Sequence, residues 1–190
     1  MLIDPKDTLD SAFLNIKHEL RRSVKDKKHP YRFAVMSTVY QGEIGTRYLV
    51  LRDLGEDLSL YFYTDARTEK VMHLQADPTV ALLFFHPRKK AQIRINGKAV
   101  LHRQNEVARD HWSKVQTYGR EAYGPTIPPG QVIESPEDAY AWPENIDDTF
   151  FTVIQVIPDK IEALQLNGLE HLRATYQRQD GSWNQQWLAP

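Results

Sequence analysis

TRYLVLRDL (Thr46–Leu54), the turn Gly55-Glu56-Asp57 and LSLYFYT (Leu58–Thr64) decide the fold. Two runs rich in β-branched, aromatic and leucine residues flank a Gly-Glu-Asp turn, which is the pattern of an antiparallel hairpin. Upstream, RFAVMSTVY (Arg32–Tyr40) stops at Gln41-Gly42, with Gly45 beyond, and adds a third strand through a second tight turn. Downstream, Asp65 is expected to cap a helix across Arg67–Gln75 that Asp77-Pro78 ends. TVALLFFH (Thr79–His86) and AQIRINGKAVLHR (Ala91–Arg103) form the next pair across the basic turn Pro87–Lys90, and Gln104–Lys114 reads as helical. TFFTVIQVIPDKIEALQL (Thr149–Leu166) supplies one or two more strands. LRATYQR and SWNQQWLAP close the chain as a hairpin around Asp180-Gly181. At the other end, Leu9, Phe13, Ile16 and Leu20 recur at three- and four-residue intervals, so Asp4–Val24 reads as an amphipathic helix. Six to eight short strands with two or three helices point to a closed or partly closed antiparallel barrel, because closure removes exposed sheet edges. A sandwich is the alternative.

The chain has 190 residues, 41% hydrophobic and 26% charged, which suits one domain over residues 1–190. Residues 1–28 form a helical arm. Residues 118–148 form a surface loop holding five of the eleven prolines. Cysteine is absent, which excludes disulfides, a thiolate nucleophile and Cys-ligated metal, and suits a reducing compartment. A net charge of -1 removes the basic excess of a nucleic-acid binder. No stretch nears the roughly 20 apolar residues of a membrane helix, and the first residues lack a signal-peptide core, so a soluble cytoplasmic protein is expected. There is no Gly-Lys-Ser/Thr phosphate loop, GxGxxG or GxSxG, and the seven histidines never fall at HxH or HxxxH spacing, so no metal site is expected.

The chemistry concentrates between Arg47 and Gln92. Arg47 and Arg52 bracket the apolar run Tyr48, Leu49, Val50, Leu51. Tyr63 and Thr64 lead into Asp65-Ala66-Arg67-Thr68-Glu69-Lys70, where hydroxyls and cations gather at a predicted helix start. Such a set suits a phosphate held by backbone N–H groups, the Thr68 hydroxyl and charge-assisted bonds from Arg67, Lys70 and Arg47. Spacing alone favours a solvated turn with a capping aspartate and surface ion pairs over the phosphate reading.

The order of these pieces resembles a known family. R-x-L-V-L-R (Arg47–Arg52), F-Y-T-D-A-R-T-E-K (Phe62–Lys70), a helix ending in Asp-Pro, V-A-L-L-F-F (Val80–Phe85) and Q-I-R-I-N-G-K-A (Gln92–Ala99) are similar to motifs of the pyridoxamine 5'-phosphate oxidase-like FMN-binding split barrels. H-L-R-A-T-Y-Q-R from His171 and G-S-W-N-Q-Q-W-L-A-P resemble that family's C-terminal signature. The resemblance implies a mainly β protein with flanking helices, an antiparallel split β-barrel. It also implies a homodimer with FMN in clefts between subunits. By position, Arg47, Tyr48, Leu49, Val50, Leu51 and Arg52 would line the flavin and its phosphate arm, with Tyr63 and Thr64 at the ring and ribityl chain. Thr68 and Lys70 would hold the phosphate with help from Arg67, and Gln92 and Arg173 would reach the flavin.

Departures from the family pattern point to a divergent, stress-associated branch rather than the true oxidase. Glu69 stands where many members carry a phosphate-site arginine, Leu164 replaces a flavin-side tryptophan, and Leu169-x-His171 replaces an Arg-x-His substrate pair. Asp110, Lys114 and Tyr118 fall on the substrate-phosphate trio. The expected function is an FMN-dependent oxidoreductase taking a hydride from a small substrate or a reduced nicotinamide, with His171 the one weak catalytic candidate. The alternative is a non-catalytic flavin or haem sensor, with His171, His73 or His86 as axial ligand. Trp183 and Trp187 read as core or dimer aromatics.

Overall fold

Alternating side chains and tight turns build eight strands, seen in a computed structural model that describes Met1–Pro190. The strands are β1 (Phe33–Tyr40), β2 (Glu43–Leu54), β3 (Leu60–Asp65), β4 (Thr79–His86), β5 (Ala91–His102), β6 (Phe151–Gln165), β7 (Leu172–Gln179) and β8 (Ser182–Leu188). They form one antiparallel sheet ordered β3-β2-β1-β4-β5-β6-β7-β8, and an added β3–β6 pairing closes the first six into a barrel. The two-residue turn Gln41-Gly42 sits at φ 51° and 86°, and Asp180-Gly181 at 49° and 81°, the left-handed values a tight hairpin needs.

The stretch after Thr149 is one strand. Its first half, through Val156, pairs with β3, and from Lys160 the same edge pairs with β7. Pro158, which has no N–H to donate, lies at that changeover beside the register shift between Asn96 and Gly97 of β5. A Cβ on Gly97 would collide with the Ile157 carbonyl, so β5 and β6 can approach this closely only at glycine. Met36, Leu51, Phe62, Phe84, Ile95 and Ile154 fill the barrel with no exposed surface.

Four α-helices flank it: α1 (Leu9–Lys25), α2 (Glu69–Ala76), α3 (Glu106–Ser113) and α4 (Thr117–Arg120). Three begin later than their sequence suggests; α3 starts at Glu106 rather than Gln104, capped by Asn105. Thr8 caps α1 by accepting from the Ser11 N–H, while Asp4 and Asp7 close a separate turn around Pro5. Thr68, not Asp65, precedes α2, because Asp65 accepts the Arg67 N–H and closes a preceding turn. Helix α1 buries Phe13, Ile16 and Leu20 on the barrel, and Phe13 stacks on Tyr176 at 4.4 Å. Between α4 and β6 the loop carries only short 3-10 turns, at Glu121–Tyr123 and Pro136–Ala139. No helix is long and apolar enough to cross a membrane.

Candidate cofactor site

Strand β2 presents Gly45, Arg47, Leu49 and Leu51 inward and Tyr48, Val50 and Arg52 outward, since successive residues of a strand face opposite ways. Arg47 reaches the end of the barrel beside α2. Its Nη1 donates to Thr38 Oγ1 at 2.7 Å and to the Gly45 carbonyl at 2.8 Å, which leaves Nε and Nη2 free to donate elsewhere. The guanidinium folds back over Gly45, where a Cβ would occupy the Nη2 position. From the first turn of α2, Lys70 Nζ donates to Thr64 Oγ1 at 3.1 Å, and Thr64 and Thr68 share a hydroxyl contact at 3.2 Å.

Neither Arg47 nor Lys70 has a carboxylate within ion-pair distance. Burial, and then the neighbouring Arg47 charge, hold the Lys70 ammonium below its ordinary pKa; burial does the same to Arg47. Two partly buried cations without an ion-pair partner, and two hydroxyls at the start of a helix, form a donor set that fits a phosphate. Of the predicted phosphate residues, Arg47, Thr68 and Lys70 are brought together here, and Thr64, expected at the ribityl chain, joins them.

Arg67 is turned away from this cluster. Its Nε and Nη2 grip Asp65 at 3.0 and 2.6 Å, Nη2 also reaches the Pro125 carbonyl at 2.7 Å, and the group lies 3.8 Å above the Phe150 ring. The buried Asp65 carboxylate offers a bidentate fork only two residues away, and that geometry takes the arginine. Arg67 therefore fastens the long loop to the end of β3.

Arg52 stands five positions after Arg47, an odd offset, so it lies on the other side of the strand. It donates to the Tyr123 hydroxyl at 3.2 Å and lies 5.4 Å over the Tyr63 ring. There it lines a cleft of about 380 Å³ with Lys27, Arg32, Asp53, Tyr63, Lys114 and Tyr123. Tyr63 OH meets His111 Nδ1 at 2.9 Å; burial pushes the Tyr63 phenol up and the His111 imidazole down. Lys27, Arg32 and His111 escape sequence reading because they come from three separate elements. The one local signal is that His111 is the polar residue on the buried side of the short helix α3.

Leu51 is fully buried in the barrel and Leu49 packs against the same core, so their side chains are spent on folding and only their backbone borders the outer face. Tyr48 and Val50 belong to that face. It also holds Phe33, Leu83 and Phe85 around a groove of about 600 Å³ that includes Tyr48. Across the barrel, Gln92, Leu164 and Arg173 stand side by side through the β5–β6 and β6–β7 register. Arg173 donates from Nε and Nη2 to Glu162 Oε1 at 3.1 and 2.8 Å.

His171 Nδ1 accepts the Asn167 N–H at 3.1 Å. His73 contacts Thr38 Oγ1 through Nδ1 at 3.0 Å and Glu69 through Nε2 at 3.1 Å, so neither nitrogen is free for haem iron. A buried trio of Glu19, His29 and His86 has metal-like proximity. The Tyr31 and Lys89 N–H groups donate to His29 Nδ1 and His86 Nδ1, which puts the proton of each neutral ring on Nε2 and opposes metal ligation there. Lys89 Nζ meets the Glu19 carboxylate at 2.6 Å instead.

The sequence profile of the family described as "Pyridoxamine 5'-phosphate oxidase, FMN-binding domain" matches residues 14–103. A pyridoxine/pyridoxamine 5'-phosphate oxidase of Pseudomonas fluorescens (strain SBW25) is 29% identical over 95% of this chain and 89% of that protein. One of Chromobacterium violaceum is 26% identical over 99% and 92%. Among solved structures, a pyridoxamine 5'-phosphate oxidase-related, FMN binding protein from Nostoc punctiforme superposes with a TM-score of 0.76 at 25% identity, covering 92% of this chain and 95% of that one. PhzG from Burkholderia lata, solved with tetrahydrophenazine-1-carboxylic acid, shares the fold with a TM-score of 0.76 at 17% identity, covering 99% and 98%.

Proposed function

Because residues 14–103 match the FMN-binding domain of the pyridoxamine 5'-phosphate oxidase family and the chain shares the fold of an FMN binding protein of that kind, we propose that it belongs to this family, binds FMN and acts as an FMN-dependent oxidoreductase on a small anionic molecule. The observation that carries this reading is the unpaired cation couple Arg47 and Lys70 beside Thr64 and Thr68. An FMN phosphate bears close to two negative charges, and two half-buried cations supply what a dianion needs on leaving water. Bound FMN supplies the two-electron redox chemistry.

In this reading Arg47, Lys70, Thr64 and Thr68 hold the phosphate, the outward residues of β2 border the flavin, and Gln92 and Arg173 donate hydrogen bonds to it. Arg67 acts one step removed, by holding Asp65 and the loop at Pro125. The neighbouring cleft sets Lys27, Arg32 and Arg52 against Asp53, with Lys114 paired to Asp110 at 2.6 Å, and this cationic excess favours an anionic substrate. Tyr63, its hydroxyl paired with His111 Nδ1 at 2.9 Å, forms part of the cleft wall. With Nδ1 committed to Asn167, His171 offers a substrate only its Nε2–H. A homodimer with the flavin between subunits is part of the proposal. Support comes from the outward aromatic and aliphatic face, where Tyr48 is 73% and Phe85 48% exposed. The whole chain, 1–190, then works as one cytoplasmic flavin-binding unit.

Titrating the purified protein with FMN while following flavin fluorescence tests the reading. Saturable quenching is expected, with affinity reduced at least about tenfold in Arg47→Met and in Lys70→Met, each of which removes a charge-assisted bond. FMN fluorescence that stays unchanged on adding wild-type protein, or equal binding by all three proteins, overturns it.

A further inference from the structure

Glu69 stands within the phosphate cradle, an anion among the groups that should receive one. Its negative carboxylate favours the charged forms of both Arg47 and Lys70, against the burial that disfavours them. It is 70% exposed and accepts from His73 Nε2 at 3.1 Å. Behind it runs a directional chain. Arg47 Nη1 donates to Thr38 Oγ1 at 2.7 Å, which leaves the Thr38 hydroxyl proton for His73 Nδ1 at 3.0 Å, and the Nε2–H of that ring then points at Glu69. His73 is 3% exposed and stacked on Tyr40 at 5.2 Å, so the ring cannot leave the line easily. Arg47 is thus oriented from the same side on which Glu69 sits.

Two effects oppose each other at this residue. Through Thr38 and His73, Glu69 anchors the Arg47 guanidinium with Nε and Nη2 free. Through space, its charge repels any dianion those donors would bind. The hydrogen-bonded chain needs only an acceptor at position 69, and an amide oxygen serves as well as a carboxylate. The charge is therefore separable from the anchoring role: it favours the charged forms of Arg47 and Lys70 and opposes the ligand's phosphate.

We infer that Glu69 is an affinity- and specificity-setting residue of the phosphate cradle, making the flavin an exchangeable ligand and narrowing the protein's preference for FMN over riboflavin. The inference rests on the FMN reading above and refines it. A negative charge near the phosphate raises the energy of bound FMN but leaves riboflavin, which ends in a neutral hydroxyl, almost untouched. Screening by salt should weaken the effect, because Glu69 is largely in water.

The test compares FMN and riboflavin titrations of the wild type, Glu69→Gln and Thr38→Val, followed by fluorescence, with FMN release measured by dilution into excess apoflavodoxin. Glu69→Gln should bind FMN about tenfold more tightly and release it more slowly, with riboflavin affinity changed by less than about twofold. Raising the ionic strength should shrink the gain. Thr38→Val, which cuts the chain at its middle, should weaken FMN binding. If wild type binds FMN and Glu69→Gln leaves the FMN-to-riboflavin ratio unchanged, or lowers it, this inference alone fails. If neither protein binds FMN, the flavin reading fails and takes the inference with it.

Discussion

Lys70 shows what a binding site does to the residue that serves it. Its folded pKa lies below the ordinary 10.5 because burial and Arg47 disfavour the ammonium. The penalty to the ligand-free fold is complete below the lowered value and fades as pH rises from there towards 10.5. Lys70→Met should therefore raise the melting temperature of the ligand-free protein while abolishing its stabilisation by FMN, the usual conflict between site and stability. Thermal melts with and without FMN check this, and a lower melting temperature for the ligand-free variant would contradict it. FMN affinity of the wild type should fall over the same alkaline interval, because a neutral amine no longer pairs with phosphate. Gly45 gives a second residue-scale expectation. A methyl group there overlaps Arg47 Nη2, the far end of a flexible side chain, so Gly45→Ala should keep the fold but displace the guanidinium. FMN affinity should drop on the order of tenfold with little change in melting temperature, as for a lost charge-assisted bond; a large stability loss would mean that the strand, not the arginine, had moved.

Among the elements, α1 is tied to the β4–β5 turn and to the entry of β1 by one buried carboxylate. Glu19 accepts from Lys89 at 2.6 Å and His29 at 3.2 Å. Burial pushes this carboxyl up, but the hydrogen bonds and charges of Lys89 and His29 outweigh it, and its folded pKa falls below the ordinary 4.5. A lowered carboxyl contributes stability that is whole above about pH 4.5 and lost as pH falls through the folded value. Urea midpoints measured from neutral to acid pH should decline in that window, and Glu19→Gln should flatten the decline while costing about 1–3 kcal/mol at neutral pH. An identical acid slope in the variant would remove Glu19 from the account. At this scale much was legible. Period-two alternation and the turns at Gln41-Gly42 and Asp180-Gly181 are local signals, so most strands lie within a few residues of where they read. Helix starts were less so: whether Asp65 or Thr68 precedes α2 depends on where the Arg67 guanidinium goes, and that depends on Pro125.

For the whole molecule, the expectation concerns the outward face of β1, β2 and β4. Phe33, Tyr48, Leu83 and Phe85 are 49%, 73%, 38% and 48% exposed, a cluster a monomer rarely leaves in water. Tyr48→Asp combined with Phe85→Asp should turn a dimer into a monomer in sedimentation. It should also weaken FMN binding although neither residue belongs to the Arg47 and Lys70 cluster. A double variant that remains dimeric, or a wild type already monomeric at micromolar concentration, would reject the proposed assembly.

By itself the sequence determined the run of strands, the sharp turns between them and the supply of cations and hydroxyls around Arg47 to Lys70, because period, turn chemistry and residue type are properties of neighbours along the chain. Only the tertiary structure decided which of those cations share a pocket. Arg47 and Lys70 meet because the first half of β2 and the first turn of α2 lie at the same rim of the barrel. Arg52 is sent to the opposite face by the parity of a strand, and Arg67 is captured by Asp65. Side-chain convergence depends on where distant elements pack, and no local spacing carries that information.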